Sequence, residues 1–426
     1  MKISTYGKFC GEVAVPASKS HMHRLIICAA FCDEKTVIKN MTLSEDISTT
    51  LGVVKSLGGN FEINKDEIVV EPIKSSFDKY IIDCNESGST MRFFIPIVSA
   101  LGMDCTFVGK GRLPYRPIAP LDGEMKQKGV AFSMPHENGL VMPFSVSGQM
   151  KSGTYTLSGD VSSQFISGLL FALPILDGDS EIILTSPLQS KAYVDMTIQT
   201  LKQFGVEIAE TNNSYKIKGG QKYVSPKEVF AEGDWSNGAF FICGGVLSGS
   251  LKIKGLSFSS TQGDKEIYNI LKNMGADLRE ENGYIYAEKS VLSSASVDVS
   301  QIPDLVPILA VTMAYAKGKS VIYNAARLRI KESDRLKSTT EGILNIGGDI
   351  AEKEDSLEIN GKEKLTGGEI NSFNDHRIAM AMAIASLECE KPVIINDPMC
   401  VKKSYPNFYE DFEKAGGIKN VINMGK

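Results

Sequence analysis

The chain has 426 residues, 42% of them hydrophobic and 23% charged, and carries a formal net charge of −5. Such a length exceeds one ordinary core, so two or more domains are expected. The acidic balance argues against a general nucleic-acid or anionic-membrane binder, and any anion site must be a local gathering of cations.

No stretch of the sequence is apolar for long enough to cross a membrane, and MKISTYGKFCGEVAVP has no long apolar run. A cytoplasmic protein without membrane or nucleic-acid contacts is expected. The eight cysteines (10, 28, 32, 84, 105, 243, 389 and 400) form no CxxC pair and have no His-rich partner segment. They read as reduced, buried small hydrophobes, with no metal site expected.

Along the chain, helix starts and stops alternate. PASKSHMHRLIICAAF, from Pro16 to Phe31, packs Lys19, His21, His23 and Arg24 ahead of an apolar helical run. VVKSLGGNFEI then reads as a helix stopped at Gly58. NESGSTMRFFIPIVSALG opens a second apolar helix between Ser87 and Thr90, with Arg92 one turn in. Arg112 and Arg116 follow on the Pro-punctuated loop GRLPYRPIAP, and EMKQKGVAFSM stops at Gly129. GDVSSQFISGLLFALP starts around Ser162 and Ser163, and TLKQFGVEIAE stops at Gly205.

GGQKYVSPKEVFAEGD, with Pro226, is the expected crossing between domains, and Pro16 stands in the matching place near the N-terminus. GDWSNGAFFICGGVL starts at Asp234; ILKNMGADLRE stops at Gly275 and leads into a hairpin turning at Asn282-Gly283. SQIPDLVPILAV places Asp304 at a helix start, and ARLRIKESDRLKS holds Arg327, Arg329, Lys331, Glu332, Arg335 and Lys337. A helical turn formed by Lys331 would put Lys331 and Arg335 on one face at i,i+4. After the stop at Gly347 come NDHRIAMAMAIASLE, with Asn374 or Asp375 as cap beside His376 and Arg377, and DPMCVKKSYP with Lys402 and Lys403. DFEKAGGIKNV closes the series at Gly416.

The six glycine stops recur about every 70 residues, longer than a solenoid repeat, and indicate six small α/β units, three to a domain. Ser, Thr, Asn and Asp at the starts are ordinary N-caps. Caps do not explain Lys19, Arg24, Arg92 and Arg377 near positive helix ends, where the macrodipole disfavours cations. A bound phosphate or carboxylate would explain them, held jointly by free N–H groups, dipole and side-chain charge. Taken alone, a solvated face is the plainer reading for Arg327, Arg329, Lys331, Arg335 and Lys337, and more so for Lys402 and Lys403.

Of the four histidines (21, 23, 136 and 376), three lie in these segments. Asp304 and Glu332 are carboxylates beside cations, able to stay ionised and act as bases. There is no GxxxxGK[ST], no GxGxxG opening a helix after a strand, no HExxH and no GxSxG, which removes P-loop, dinucleotide, zincin and α/β-hydrolase readings.

PASKSHMHR, NESGSTMRFF, LPYRPI, GDVSSQF, SKAYVDMT, QGDK, IPDLVP, RIKESDRL, NDHRIAMA and DPMCVKKSYPNFY together resemble, in order from about residue 7 to 417, the 3-phosphoshikimate 1-carboxyvinyltransferase (5-enolpyruvylshikimate-3-phosphate synthase) family. The resemblance implies a two-domain α/β fold, an inside-out α/β barrel with three repeated α/β subdomains and buried helices per domain. It implies residues 17–226 as one domain and 1–16 with 227–426 as the other, with ligands closing the cleft between them.

It also implies a reaction without metal or organic cofactor. The 5-hydroxyl of shikimate 3-phosphate adds to C2 of phosphoenolpyruvate while C3 is protonated; loss of phosphate and of a C3 proton then leaves the enolpyruvyl ether. By matching positions, Lys19, Gly88, Arg116, Gln164, Arg335, Arg377 and Lys403 would hold phosphoenolpyruvate. Lys19, Ser20, Arg24, Ser162, Ser163, Gln164, Ser190, Tyr193, Asp304, Arg327 and Lys331 would hold shikimate 3-phosphate. Asp304 would take the 5-hydroxyl proton, Glu332 the proton at C3, Lys19 would assist both, and His376 would support. A monomer is expected.

Two residues depart from the family pattern. Glu86 stands where relatives carry Asn, and a carboxylate there would repel phosphoenolpyruvate unless turned away or paired. Arg327 stands where many relatives carry an Asn that contacts the acceptor. The rival readings are the sister enzyme acting on UDP-N-acetylglucosamine, which usually has a cysteine in the loop matching GKGRLPYRPIAP, and a non-catalytic phosphometabolite binder, which would not need the carboxylates.

Overall fold

The computed structural model describes residues 1–74, 80–135 and 139–422. Among these, twelve α-helices follow one another: α1 (Lys19–Ala30), α2 (Glu45–Ser56), α3 (Gly88–Ala100), α4 (Leu121–Gln127), α5 (Ser163–Ala172) and α6 (Lys191–Gln203). The series continues with α7 (Trp235–Ser248), α8 (Ile267–Asn273), α9 (Val306–Met313), α10 (Arg335–Asn345), α11 (His376–Ala385) and α12 (Phe408–Lys414).

The helices alternate in kind. Every residue of α7, α9 and α11 is buried, and α1, α3 and α5 are nearly so. Such all-round apolar helices can only sit inside a core. The even-numbered helices are amphipathic or short, and each ends at one of the six glycine stops. Gly58, Gly129, Gly205, Gly275, Gly347 and Gly416 all take positive φ, from 76° to 101°, so each occupies the left-handed C′ position that the spacing predicts.

Six four-stranded sheets accompany the helices, and all share one pattern: a parallel outer pair followed by two antiparallel pairings. In one of them Glu228–Phe230 runs parallel to Thr36–Lys39, which pairs antiparallel with Glu67–Glu71, and that strand with Asn60–Asn64. The predicted hairpin is present, with Glu281 opposite Tyr284 and both Asn282 and Gly283 at positive φ, as a type I′ turn requires. The sheets lie outside and the odd-numbered helices inside, the inside-out α/β arrangement expected of the fold class.

The chain divides into two compact units, residues 17–231 and residues 1–16 with 232–426. Each has its own apolar core, one built around Phe93, Phe107, Phe144 and Phe171, the other around Trp235, Phe240, Phe408 and Phe412. Three of the six sheets belong to each unit. Lys2–Gly7 pairs with Val393–Asn396 and Gly417–Ile422, and Cys10–Ala14 pairs with Ser250–Lys254, so both opening strands are bound into the second unit. The chain leaves the first unit after Ala231 rather than at Pro226, because Glu228–Phe230 still pairs with Thr36–Lys39.

One expectation is corrected. Of the eight cysteines, Cys10 is exposed on an edge strand and Cys389 is half-buried; the other six are buried. Among the described residues no group of three or more His, Cys, Asp or Glu is placed to hold a metal ion, and no helix is long and apolar enough to cross a membrane.

Candidate functional site

In residues 17–231 the starts of α1, α3 and α5 are capped by hydroxyls. Ser18 accepts from the His21 N–H, Ser87 from Thr90 and Ser162 from Gln164. A neutral hydroxyl satisfies one N–H and leaves the positive helix end uncompensated. Cations nevertheless converge there. A Cβ built on Gly88, the first residue of α3, would lie 2.7 Å from Arg116 Nη1 and 2.9 Å from Arg92 Nη1. Two guanidiniums thus close on one helix start, and only glycine leaves them room.

Their orientation is fixed from three elements. Arg92 donates to Gln164 Oε1 (2.8 Å) and to the Pro117 carbonyl (3.1 Å), with its guanidinium over the Phe165 ring. Gln164 in turn donates to Ser89 Oγ (2.9 Å), joining α5 to α3. Arg116 is 8% exposed and ends the 3-10 turn Leu113–Tyr115. Lys19 opens α1, and its ammonium meets Asp46 Oδ2 at 2.8 Å.

Arg24 lies deeper than a surface grip. It is 2% exposed, and it donates to Thr197 Oγ1 (2.8 Å) and to the carbonyls of Tyr193 (2.8 Å) and Ser20 (2.6 Å). Burial first of all lowers its pKa to about 10. It braces α1 against α6, beside the Tyr193 ring. Ser190, 3% exposed and left-handed at φ 55°, precedes α6; Ser162 is half-buried and Ser163 buried at the start of α5. His21 and His23 do not join the cations. Burial, then Arg24, lowers His21 to about 4, and burial, then Lys19 and Arg24, pushes His23 well below the usual range. Both are neutral interior side chains, and His23 bonds Thr50 at 2.7 Å. His136 lies outside the described residues.

The second unit inverts the chemistry, with carboxylates at its helix starts. Asp234 caps α7 and Asp375 caps α11, while Asp304 sits in the 3-10 turn Pro303–Leu305 that leads into α9. Arg335, 1% exposed, joins three acids: Asp304 at 2.7 Å, Glu332 at 2.7 Å and Asp375 at 2.8 Å. Arg377 reaches Asp304 Oδ2 at 3.0 Å, and Lys331 stands 3.8 Å from Oδ1. Burial pushes the Asp304 carboxyl up, but Arg377, then Lys331 and Arg335, outweigh it and hold it well below the usual range. Burial likewise lowers the Lys331 ammonium to about 8, against the pull of Asp304.

Lys331 and Arg335 do not share a helix face, contrary to the i,i+4 expectation. The helix starts only at Arg335, with Asp334 as its cap, and Lys331 follows a separate 3-10 turn. The two cations meet at Asp304 through tertiary contact. Lys403 donates to the Asn374 carbonyl at 2.7 Å and is 6% exposed, whereas Lys402 is exposed. His376, 2% exposed, has Nδ1 3.9 Å from Asp375 Oδ1. Arg327 donates to the Ser300 carbonyl (3.1 Å) and Arg329 is engaged by Asp334 and Glu352, whereas the solvated face read for these segments fails at Arg335 and Lys403, both buried among polar partners.

Several neighbours of these residues escaped the sequence reading. Asp46 pairs with Lys19 from 27 positions away, and Asp375, read only as a candidate cap, is also the ion partner of Arg335. Asp264, in the QGDK segment, is 3% exposed and accepts from the Ser236 hydroxyl. Burial, then the Asp304 charge, pushes it up to about 7.

A family model described as EPSP synthase (3-phosphoshikimate 1-carboxyvinyltransferase) matches residues 3–412. The chain is 47% identical to the 3-phosphoshikimate 1-carboxyvinyltransferase of Clostridium novyi, over 98% of this chain and 97% of the relative. It is 46% identical to that of Clostridium acetobutylicum, with the same coverage. Its fold matches an EPSP synthase from Acinetobacter baumannii with a TM-score of 0.82 at 28% identity, over 99% of this chain and 100% of that one. The enolpyruvyl transferase NikO from Streptomyces tendae shares the fold at a TM-score of 0.80 and 16% identity, over 98% of each chain.

Proposed function

Because the chain belongs to the EPSP synthase (3-phosphoshikimate 1-carboxyvinyltransferase) family, we propose that its hydroxyl-capped helix starts grip the substrate anions and that its carboxylate cluster moves the protons. The reaction is transfer of the enolpyruvyl group of phosphoenolpyruvate to the 5-hydroxyl of shikimate 3-phosphate, with release of phosphate. Two polyanions must be held together while charge shifts between them, so the task is one of positioning and electrostatic stabilisation.

In this reading Lys19, Gly88, Arg116, Gln164, Arg335, Arg377 and Lys403 hold phosphoenolpyruvate. Ser20, Arg24, Ser162, Ser163, Ser190, Tyr193, Arg327 and Lys331 hold shikimate 3-phosphate. Asp304 accepts the 5-hydroxyl proton as the C2–O bond forms. Glu332 delivers the proton to C3 and removes one in the elimination, when the C2–phosphate bond breaks; His376 supports both. The observation that carries the reading is Asp304, a carboxylate gripped by Arg335, Arg377 and Lys331 together. Anions that draw on Arg377 and Lys331 relieve that hold and make the carboxylate a better base. The enzyme is taken to act as a cytoplasmic monomer.

The test is phosphate release from phosphoenolpyruvate with no divalent metal added, using shikimate 3-phosphate and UDP-N-acetylglucosamine as parallel acceptors. Release with shikimate 3-phosphate alone is expected. Release with the nucleotide sugar alone, or with neither, would overturn the reading.

A further inference from the structure

We infer that Glu86 is a positioning residue for the phosphoenolpyruvate subsite: its carboxylate, seated against Gly111, fastens the loop that aims Arg116 at the start of α3. The inference rests on the reading of Arg116 and Gly88 as phosphoenolpyruvate contacts.

A carboxylate two residues before Gly88 looks hostile to an anion site. Its position resolves the conflict. A Cβ built on Gly111 would lie 2.6 Å from both the carboxylate carbon and Oε2 of Glu86, and 3.0 Å from Oε1. The acid therefore rests directly on the Gly111 backbone, in space that only glycine leaves. Gly111 has φ 58° and Arg112 a right-handed φ of −87°. Backbone that alternates in hand in this way turns successive N–H groups to one side, a concavity suited to an anion.

The main chain closes the same junction. The Lys110 N–H donates to the Asn85 carbonyl at 2.6 Å, so residues 85 and 86 grip the loop by backbone and side chain together. From Lys110 the chain makes two successive tight turns, with Leu113 N–H on the Lys110 carbonyl (3.1 Å) and Arg116 N–H on the Leu113 carbonyl (3.0 Å). Arg116 Nη1 then returns to Gly88, 2.7 Å from where a Cβ would stand. The path from Glu86 through Gly111 and Arg116 to Gly88 is a closed ring, and only two short hydrogen-bonded turns separate Gly111 from the guanidinium.

Steady-state kinetics of Glu86→Ala, Glu86→Gln, Gly111→Ala and the Glu86→Ala/Gly111→Ala double variant test this, with Arg116→Met alongside. Misplacing a substrate clamp without removing it should raise the phosphoenolpyruvate KM roughly tenfold in Glu86→Ala and Gly111→Ala, with kcat and the shikimate 3-phosphate KM within about twofold of the parent. Glu86→Gln, which keeps the shape, should rescue part of that loss. Gly111→Ala should cost less in the Glu86→Ala background than in the parent, because the atoms it displaces are gone. Additive effects, or equal losses in every kinetic constant, would overturn the inference. So would an unchanged phosphoenolpyruvate KM in Glu86→Ala while Arg116→Met raises it. If Arg116→Met itself leaves that KM unchanged, the underlying reading of the subsite fails instead.

Discussion

The helix starts of residues 17–231 and those of the second unit come from the same repeat and carry opposite chemistry. Ser18, Ser87 and Ser162 cap α1, α3 and α5, whereas Asp234 and Asp375 cap α7 and α11, with Asp304 in the turn before α9. Hydroxyl caps add no charge at the positive helix ends, and Arg92 donates to Gln164 and the Pro117 carbonyl. Carboxylate caps compensate the helix ends, and Arg335 is matched by three acids. One architecture thus carries hydroxyl-capped helix starts in one unit and carboxylate-capped starts with a charge-balanced cluster in the other.

Removing a proton acceptor should break the contrast most. Asp304→Asn is expected to lower kcat about 10²–10⁴-fold, the range for a lost general base, while the dissociation constant for shikimate 3-phosphate changes by less than about tenfold. Equal losses in turnover and binding would make Asp304 a binding group, and the two units would no longer differ in kind.

Next in size is a stability effect confined to the charge-balanced side. Arg335→Met takes the Arg335 ion pair from Asp375, whose side chain is fully buried, and one cation each from Asp304 and Glu332. Breaking a buried ion pair by removing one partner costs about 3–5 kcal/mol, which urea unfolding at pH 7 will read. A loss below about 1 kcal/mol would show the carboxylates to be better solvated than their burial implies.

The smallest effect sharpens the comparison through pH. Asp264 ordinarily would release its proton near 3.8, but burial, then Asp304, holds the proton in the folded protein to about 7. Between those values the unfolded chain binds fewer protons than the folded one, so this group makes stability fall as pH rises. Asp264→Asn removes the fall. Its melting temperature relative to the parent should therefore increase from pH 4 to pH 8, whereas a constant difference would mean that Asp264 is ionised throughout.

Local features were legible in the chain because the groups that make them are neighbours in it. An N-cap acts on an N–H two or three residues ahead, and a glycine stop on the turn just behind. Hence Ser87, Ser162, Asp234 and the six glycines from Gly58 to Gly416 could be read directly, and their spacing revealed the repeat and the fold class. The resemblance of the motifs to a known family supplied the candidate residues, among them Lys19, Asp304 and Glu332.

Partners could not be read this way. Lys19 meets Asp46 across 27 positions, Arg335 meets Asp375 across 40 and Arg377 meets Asp304 across 73. The expected helix face shared by Lys331 and Arg335 failed because Asp334 caps a helix that begins after Lys331. The neutrality of His21 and His23, and the seat of Glu86 against Gly111, likewise depend on what surrounds them. The sequence by itself determined most of the helix starts, the stops and the family. Only the tertiary structure decided which charges face one another, because desolvation and Coulomb energy depend on distances through space and not along the chain.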